Sequence, residues 1–257
     1  MSFVTPGTVA FVTGANRGIG RALVQALLDR GASKVYAGAR RPETLAALAA
    51  ASGGRVVPVK LDVTRPFEVQ AAAAQAPDVT LIVNNAGVVS QFGGAFTDKV
   101  WLTAAREEYE VNVLGALAVS QAFAPILAQN GGGALVNVSS VAGLVALDVL
   151  TSYSASKAAL HSVTQATRKA LKAQGTYVAG VYPGPIDTDM AKDIDWPKAT
   201  PAAAATAILD GLEAGDEEIF PDPMSRELGS LFLSSPKTLE RTFGVEQPVA
   251  QLSLIHI

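Results

Sequence analysis

The 257-residue chain contains no cysteine and two histidines, His161 and His256. Without thiols, disulfides and thiolate metal sites are excluded, and two histidines are too few to build an imidazole metal site; no metal is expected. Charge is sparse as well: charged residues make up 17% of the chain, with a net charge of −3. No run of lysine and arginine occurs, so the chain carries no electrostatic footprint for nucleic acid or an anionic membrane. No apolar stretch approaches the roughly 20 residues of a membrane span. The start, Met1-Ser2-Phe3-Val4-Thr5-Pro6, lacks the basic-then-apolar layout of a signal peptide. A soluble, cytoplasmic protein is the expectation.

What the chain has is apolar surface to bury. Hydrophobic residues account for 49% of it, arranged as strand-length apolar runs alternating with helical patterns. Strands are expected at Thr8-Val12, Lys34-Gly38, Val56-Lys60, Thr80-Val83, Ala134-Val138, Tyr177-Tyr182 and Glu218-Phe220. Near-continuous apolar strands signal a parallel sheet covered by helices on both faces. The helices fall at Gly18-Arg30, Glu43-Ala51, Glu68-Ala74, Leu102-Gln129, Ser152-Ala173 and Pro201-Ala214, the last with Thr200 as cap and Pro201 at its first position. No linker or shift in composition divides the chain, so one α/β domain over residues 1–257 is expected, of the doubly wound Rossmann type.

Two segments carry chemistry. Thr13-Gly14-Ala15-Asn16-Arg17-Gly18-Ile19-Gly20 joins the first apolar run to the first helical pattern. Strand, glycine turn and helix make a dinucleotide site: glycines let the backbone approach a pyrophosphate, and the helix start offers free N–H groups. A plain strand-to-helix turn would need one or two glycines, not three. The second segment is Tyr153-Ser154-Ala155-Ser156-Lys157. Positions i and i+4 share a helix face, so the ammonium is expected beside the phenol, lowering its pKa toward neutrality and making it a general acid or base. Taken alone, such a pair also describes an ordinary solvated helix face.

Together with Asp62-Val63, Asn84-Asn85-Ala86-Gly87, Asn112, Ser140 and Pro183-Gly184, these segments resemble the short-chain dehydrogenase/reductase family in motif order and spacing, over roughly residues 6 to 220. The resemblance implies about seven strands in the order 3-2-1-4-5-6-7. It implies that Tyr153 exchanges a proton with the reacting oxygen and that Lys157 tunes it while holding the nicotinamide ribose. Ser140 hydrogen-bonds that oxygen, and Asn112 interrupts its helix to bind a water relaying protons to Lys157. Ser139 is the competing serine; the spacing of thirteen to the tyrosine selects Ser140. The cofactor contacts implied are Gly14, Asn16, Arg17, Gly18, Ile19, Gly20, Arg40, Asp62, Val63, Asn85, Ala86, Gly87, Tyr153, Lys157, Pro183, Gly184, Ile186 and Thr188. Asp62 serves equally as a helix cap, and Asn85 as an amide tying strands together.

No acid follows the second strand before Glu43; Gly38-Ala39-Arg40-Arg41 stands there instead. An NAD site places a carboxylate at that point for the ribose diol, whereas guanidinium forks suit a phosphate. NADP is therefore expected, with Arg17 adding a cation in the family geometry; surface charges at a helix start are the plainer reading of Arg40 and Arg41. Ser140, Val141, Leu147, Tyr153 and Met190 are the expected substrate contacts. Leu144, Val145, Leu150 and Tyr182 extend an apolar wall, and Trp196 joins Met190 as a lid residue. An apolar ketone or aldehyde, reduced by a carbonyl reductase or formed by an alcohol dehydrogenase, is the implied substrate. The alternatives are an NAD-dependent relative and a nucleotide-sensing protein that kept the fold without catalysis. A homodimer or homotetramer through the long helices is expected, and the apolar tail Leu252–Ile257 is either an interface strand or a remnant of cloning.

Overall fold

The computed structural model describes residues 3–95 and 97–244; the apolar tail at 252–257 lies outside them. Seven parallel strands form one sheet in the order β3-β2-β1-β4-β5-β6-β7. They are β1 (Val9–Thr13), β2 (Lys34–Ala39), β3 (Val56–Lys60), β4 (Leu81–Asn84), β5 (Ala134–Val138), β6 (Tyr177–Val181) and β7 (Glu218–Ile219), each within a residue or two of its expected bounds. Successive side chains leave opposite faces of a strand, and the packing shows it. Ala10, Val12, Leu81, Val83, Ala134 and Val136 face α1 (Gly18–Asp29), α2 (Ala46–Ala51) and α7 (Pro201–Ala214). Their neighbours Phe11, Ile82 and Leu135 face α3 (Pro66–Gln75) and α5 (Ala116–Gln129). This two-sided burial is why the strands read as unbroken apolar runs.

The helical stretch from α4 (Val100–Tyr109) to the end of α5 is continuous, joined by a π-helical turn over Glu110–Gly115. By length and composition Val100–Gln129 matches a membrane span, contrary to the expectation that no stretch comes close. Here Val119, Phe123 and Leu127 are fully buried against the sheet, which accounts for the apolar composition. Helix α6 (Thr151–Leu171) packs beside it. Thr200 caps α7, its hydroxyl accepting from the Ala203 N–H at 3.1 Å, and Pro201 takes the first position.

Two further helices, α8 (Pro223–Ser234) and α9 (Pro236–Gly244), were not anticipated. Asp222 and Ser225 form a reciprocal cap at the start of α8, and Leu228 and Leu239 cover the wall that holds Tyr153.

Beneath the carboxyl ends of the strands runs a chain of buried amides. Asn84 and Asn137 are register partners on β4 and β5. The Asn84 amide donates to Asn137 Oδ1 at 2.8 Å and to Ser120 Oγ at 2.9 Å, and Asn137 donates to Thr164 Oγ1 on α6 at 2.9 Å. Four elements meet in this one network.

Candidate active site

The cleft lies at the carboxyl ends of the strands, where the strand order reverses between β1 and β4, as open α/β sheets dictate. Its volume is about 430 Å³, and it runs from Arg40 and Arg41 at one end to Tyr153 and Trp196 at the other. Gly14, Asn16, Arg17, Gly18 and Ile19 form its floor at the start of α1. No side chain caps that helix, so its first N–H groups remain available to an anion. Gly14 has φ +63°, and a Cβ there would stand 3.0 Å from the Ala86 Cα. Gly20 does not line the cleft. A Cβ on it would come within 2.4 Å of the Gly14 carbonyl and the Asn85 amide, so the third glycine serves the packing of the turn against β4 and not ligand contact, correcting the expectation.

Asp62 and Val63 line the cleft near Arg40. Asp62 does not cap α3, whose first turn receives no side-chain acceptor; its Oδ1 instead closes the turn before that helix, accepting from the Thr64 N–H at 3.1 Å and the Thr64 hydroxyl at 2.8 Å. Burial pushes its pKa upward, yet the Thr64 hydrogen bonds and the Arg40 and Arg65 charges outweigh it and hold the carboxyl below its ordinary value. Arg40 and Arg41 border the cleft with exposed side chains, and no carboxylate follows β2 in sequence before Glu43. Arg17 instead pairs with Asp189 across the cleft mouth at 3.3 Å, both partners exposed. Asn85 lines the cleft and also donates to the Thr13 carbonyl at 2.9 Å. Ala86, Gly87, Pro183, Gly184, Ile186 and Thr188 complete the cofactor-side walls.

At the catalytic end Ser140, Tyr153 and Lys157 face one space. The Ser140 hydroxyl lies beside Tyr153 and lowers its pKa. Ser139, by contrast, donates to the Lys157 carbonyl at 3.1 Å; strand alternation has separated the two serines as expected. Lys157 Nζ donates to the Val138 carbonyl at 2.9 Å and stands 5.6 Å from the Tyr153 ring centroid. The expected tuning is absent from this geometry. Burial pushes Tyr153 up to about 12, and burial pushes Lys157 down to about 8. The shared helix face brings the two residues together, but the ammonium tip turns to a backbone carbonyl and both groups lose water.

Asn112 sits in the π-helical turn, so the helix is indeed interrupted there. It does not line the cleft. Its Oδ1 accepts from the Val88 N–H at 2.8 Å, and its amide donates to the Val88 carbonyl and to Ser156 Oγ, both at 3.0 Å. The side chain is engaged as a clasp between the loop after β4 and helix α6.

Val141, Leu147, Leu150, Met190 and Trp196 line the substrate end. Leu144, Val145 and Tyr182 do not: Val145 packs in the core under the cleft, and Tyr182 is buried with its hydroxyl 2.6 Å from His161 Nδ1. Sequence reasoning missed Val88, Val89, Phe92 and Ile194, which form the opposite wall. For Val88, Val89 and Phe92 the one signal was position, shortly after Asn85-Ala86-Gly87, and for Ile194 its place in the segment after Thr188.

The "short chain dehydrogenase" family model matches residues 8–198. The "short chain dehydrogenase pigC" of Monascus ruber is 35% identical over 199 residues, 72% of this chain and 64% of that protein. The chain thus spans under two thirds of that relative. The "ketoacyl reductase HetN" of Nostoc sp. is 28% identical over 92% of this chain and 88% of its own length. Among solved structures, a Burkholderia cenocepacia short chain dehydrogenase in complex with NADP shares 41% identity with a TM-score of 0.87, covering 95% of this chain and all of that one. A Burkholderia phymatum short chain dehydrogenase/reductase in complex with NAD shares 25% identity and a TM-score of 0.79, over 93% of this chain and 97% of that one. A family match over most of the chain thus meets a sheet wound in the expected order, and the chain belongs to the short-chain dehydrogenase/reductase family.

Proposed function

We propose that the protein is an NADP(H)-dependent carbonyl reductase or alcohol dehydrogenase acting on an apolar ketone or aldehyde. One observation carries the reading: a single cleft holds Ser140, Tyr153 and Lys157 at one end and, at the other, Arg40 and Arg41 directly after β2, where no acid follows before Glu43. The uncapped start of α1 and the close approach at Gly14 fit a pyrophosphate between them. The NADP-bound neighbour supports the choice of cofactor.

The bound nicotinamide supplies or accepts the hydride. In reduction Tyr153 gives its proton to the carbonyl oxygen as the carbon gains that hydride, leaving phenolate and alcohol; oxidation reverses both transfers. Tyr153 holds its proton firmly in this structure, which suits the donor role. Ser140 donates a hydrogen bond to the same oxygen where charge develops. Lys157 holds the ribose hydroxyls, its tip anchored on the Val138 carbonyl. Arg40 and Arg41 hold the 2′-phosphate of the adenosine end. Asn112 acts through Val88 and Ser156, fixing the wall and the helix that carry the reacting groups.

Val88, Val89, Phe92, Leu147, Met190 and Ile194 give the substrate end an apolar lining, and the ketoacyl reductase among the relatives supports a carbonyl substrate of that character. The exposed side chains of Val100, Leu102, Tyr109 and Leu114 on the long helix support a homodimer or homotetramer.

The test is a fluorescence titration of the purified protein with NADPH and then NADH. Tight NADPH and weak NADH binding is the expected result. A preference for NADH overturns the cofactor, and binding of neither overturns the function.

A further inference from the structure

Glu108 is a carboxylate with no place in the scheme above, and it is completely buried. It stands on α4, one helical turn before Asn112. Its Oε1 accepts from the Ser90 N–H at 2.8 Å, while Oε2 has no hydrogen-bond partner among the described residues. Across the packed α4–α6 interface, the Ser152 hydroxyl, beside Tyr153 in sequence, is likewise buried without a partner. A buried carboxylate without a cation beside it is costly unless something holds it, and here one backbone N–H does so. Asn112 grips Val88 and Glu108 grips Ser90, so two side chains one turn apart clamp the strand of loop that forms the wall opposite Leu147.

We propose that Glu108 is a positioning residue for the reaction. It fixes the Val88–Ser90 wall of the substrate site and, across the packed α4–α6 interface, acts on the environment of Tyr153. The inference rests on the reductase reading and adds to it a residue. The groups facing Tyr153 can be named element by element. Lys157 lies on its own helix, Glu108 on α4 and Ser140 on the turn after β5, while the remaining walls present Leu147, Leu150, Leu228 and Leu239. Of these, burial raises the tyrosine pKa first, Ser140 opposes it, and the Glu108 charge adds to the rise.

Two conservative variants separate the roles. Glu108→Gln keeps an acceptor for the Ser90 N–H and removes the charge; Glu108→Asp keeps the charge and shortens the arm. The experiment measures kcat/KM against pH with NADPH and an apolar ketone, and with NADP⁺ and the corresponding alcohol. Reduction needs phenol, so its alkaline limb reports the loss of the Tyr153 proton. In Glu108→Gln that limb should move to lower pH by on the order of one unit, the scale on which a neighbouring like charge acts. The rising limb of oxidation should move down with it, and the substrate KM should stay near wild type. Glu108→Asp should raise the KM several-fold and leave the limbs in place. Glu107→Gln, an exposed neighbour, removes the same formal charge and should move neither. Limbs unchanged in Glu108→Gln overturn the electrostatic role, and an unchanged KM in Glu108→Asp overturns the anchoring role. Absence of turnover in the wild type with every carbonyl tried, despite tight NADPH binding, overturns the reductase reading itself.

Discussion

Asp222 is the joint between the cofactor loop and the last helices, and its removal has a calculable cost. The residue is buried, its Oδ2 accepting from the Gly184 N–H at 2.8 Å and its Oδ1 from the Ser225 N–H at 2.9 Å. Asp222→Ala deletes both acceptors. Loss of an N-cap costs about 1 kcal/mol, and the second donor, on the half-buried Gly184, adds about 1–2 kcal/mol when left unpaired. The sum, about 2–3 kcal/mol, lowers Tm by roughly 5–10 °C in a domain of this size. The assay is a circular-dichroism melt paired with an NADPH titration. Ser225→Ala is the control, because it removes the hydroxyl that accepts from the Asp222 N–H at 3.0 Å and leaves the Gly184 anchor intact. Asp222→Ala should lose both stability and cofactor affinity, and Ser225→Ala stability alone. A Tm within a degree of wild type for Asp222→Ala, or equal loss of NADPH affinity in the two variants, would refute the reasoning.

Tyr153→Phe should bind NADPH normally and lose turnover by about 10²–10⁴-fold, the range for a lost acid-base group; near-normal turnover removes Tyr153 from its role. Arg40→Asp should shift the ratio of Kd values for NADPH and NADH toward NADH, and an unchanged ratio makes Arg40 a surface charge. Lys157 falls from its ordinary 10.5 to about 8, so between those values the unfolded chain binds a proton that the folded chain does not. Stability of the cofactor-free protein should therefore rise with pH across that window, until the raised Tyr153, which keeps its proton from pH 10 to about 12, pulls the other way. Below pH 8 the full desolvation penalty, about 3 kcal/mol, is present. Lys157→Met should accordingly melt higher than wild type at pH 7, with the advantage shrinking by pH 9.5; a pH-independent difference refutes the assignment.

The sheet was legible because burial on both faces leaves strands as apolar runs, and α7 because Thr200-Pro201 is a cap followed by proline at the first position. The same signal stood at Asp222-Pro223 and Ser235-Pro236 and announces α8 and α9, but those helices are less apolar overall than α7 and went unread. At the site, spacing located Ser140, Tyr153 and Lys157, since helix and strand periods fix which face a residue takes. It could not say where the tip of a four-carbon side chain comes to rest, and so the direction of the Tyr153 shift was misjudged. Nor does spacing tell a glycine that meets a ligand from one that meets its neighbour, which is why Gly20 was misplaced. Glu108 carries no motif at all; only the fold shows it buried and accepting from the Ser90 N–H.

The buried amide chain has a consequence for how the sheet finds its alignment. Strands that are apolar on both faces pay little for sliding past one another, because every position offers a similar oily surface. Asn84 and Asn137 remove that indifference. They meet only when β4 and β5 are aligned as observed, and a slide by one residue would strand both amides in a dry interior, while Ser120 and Thr164 keep the bonds to their own helices. Each orphaned group costs roughly 1–3 kcal/mol, so a misaligned pairing is rejected by several such penalties at once. The two amides thus act as a proofreading step in assembly, beneath a cleft whose walls are set by the two strands ending level.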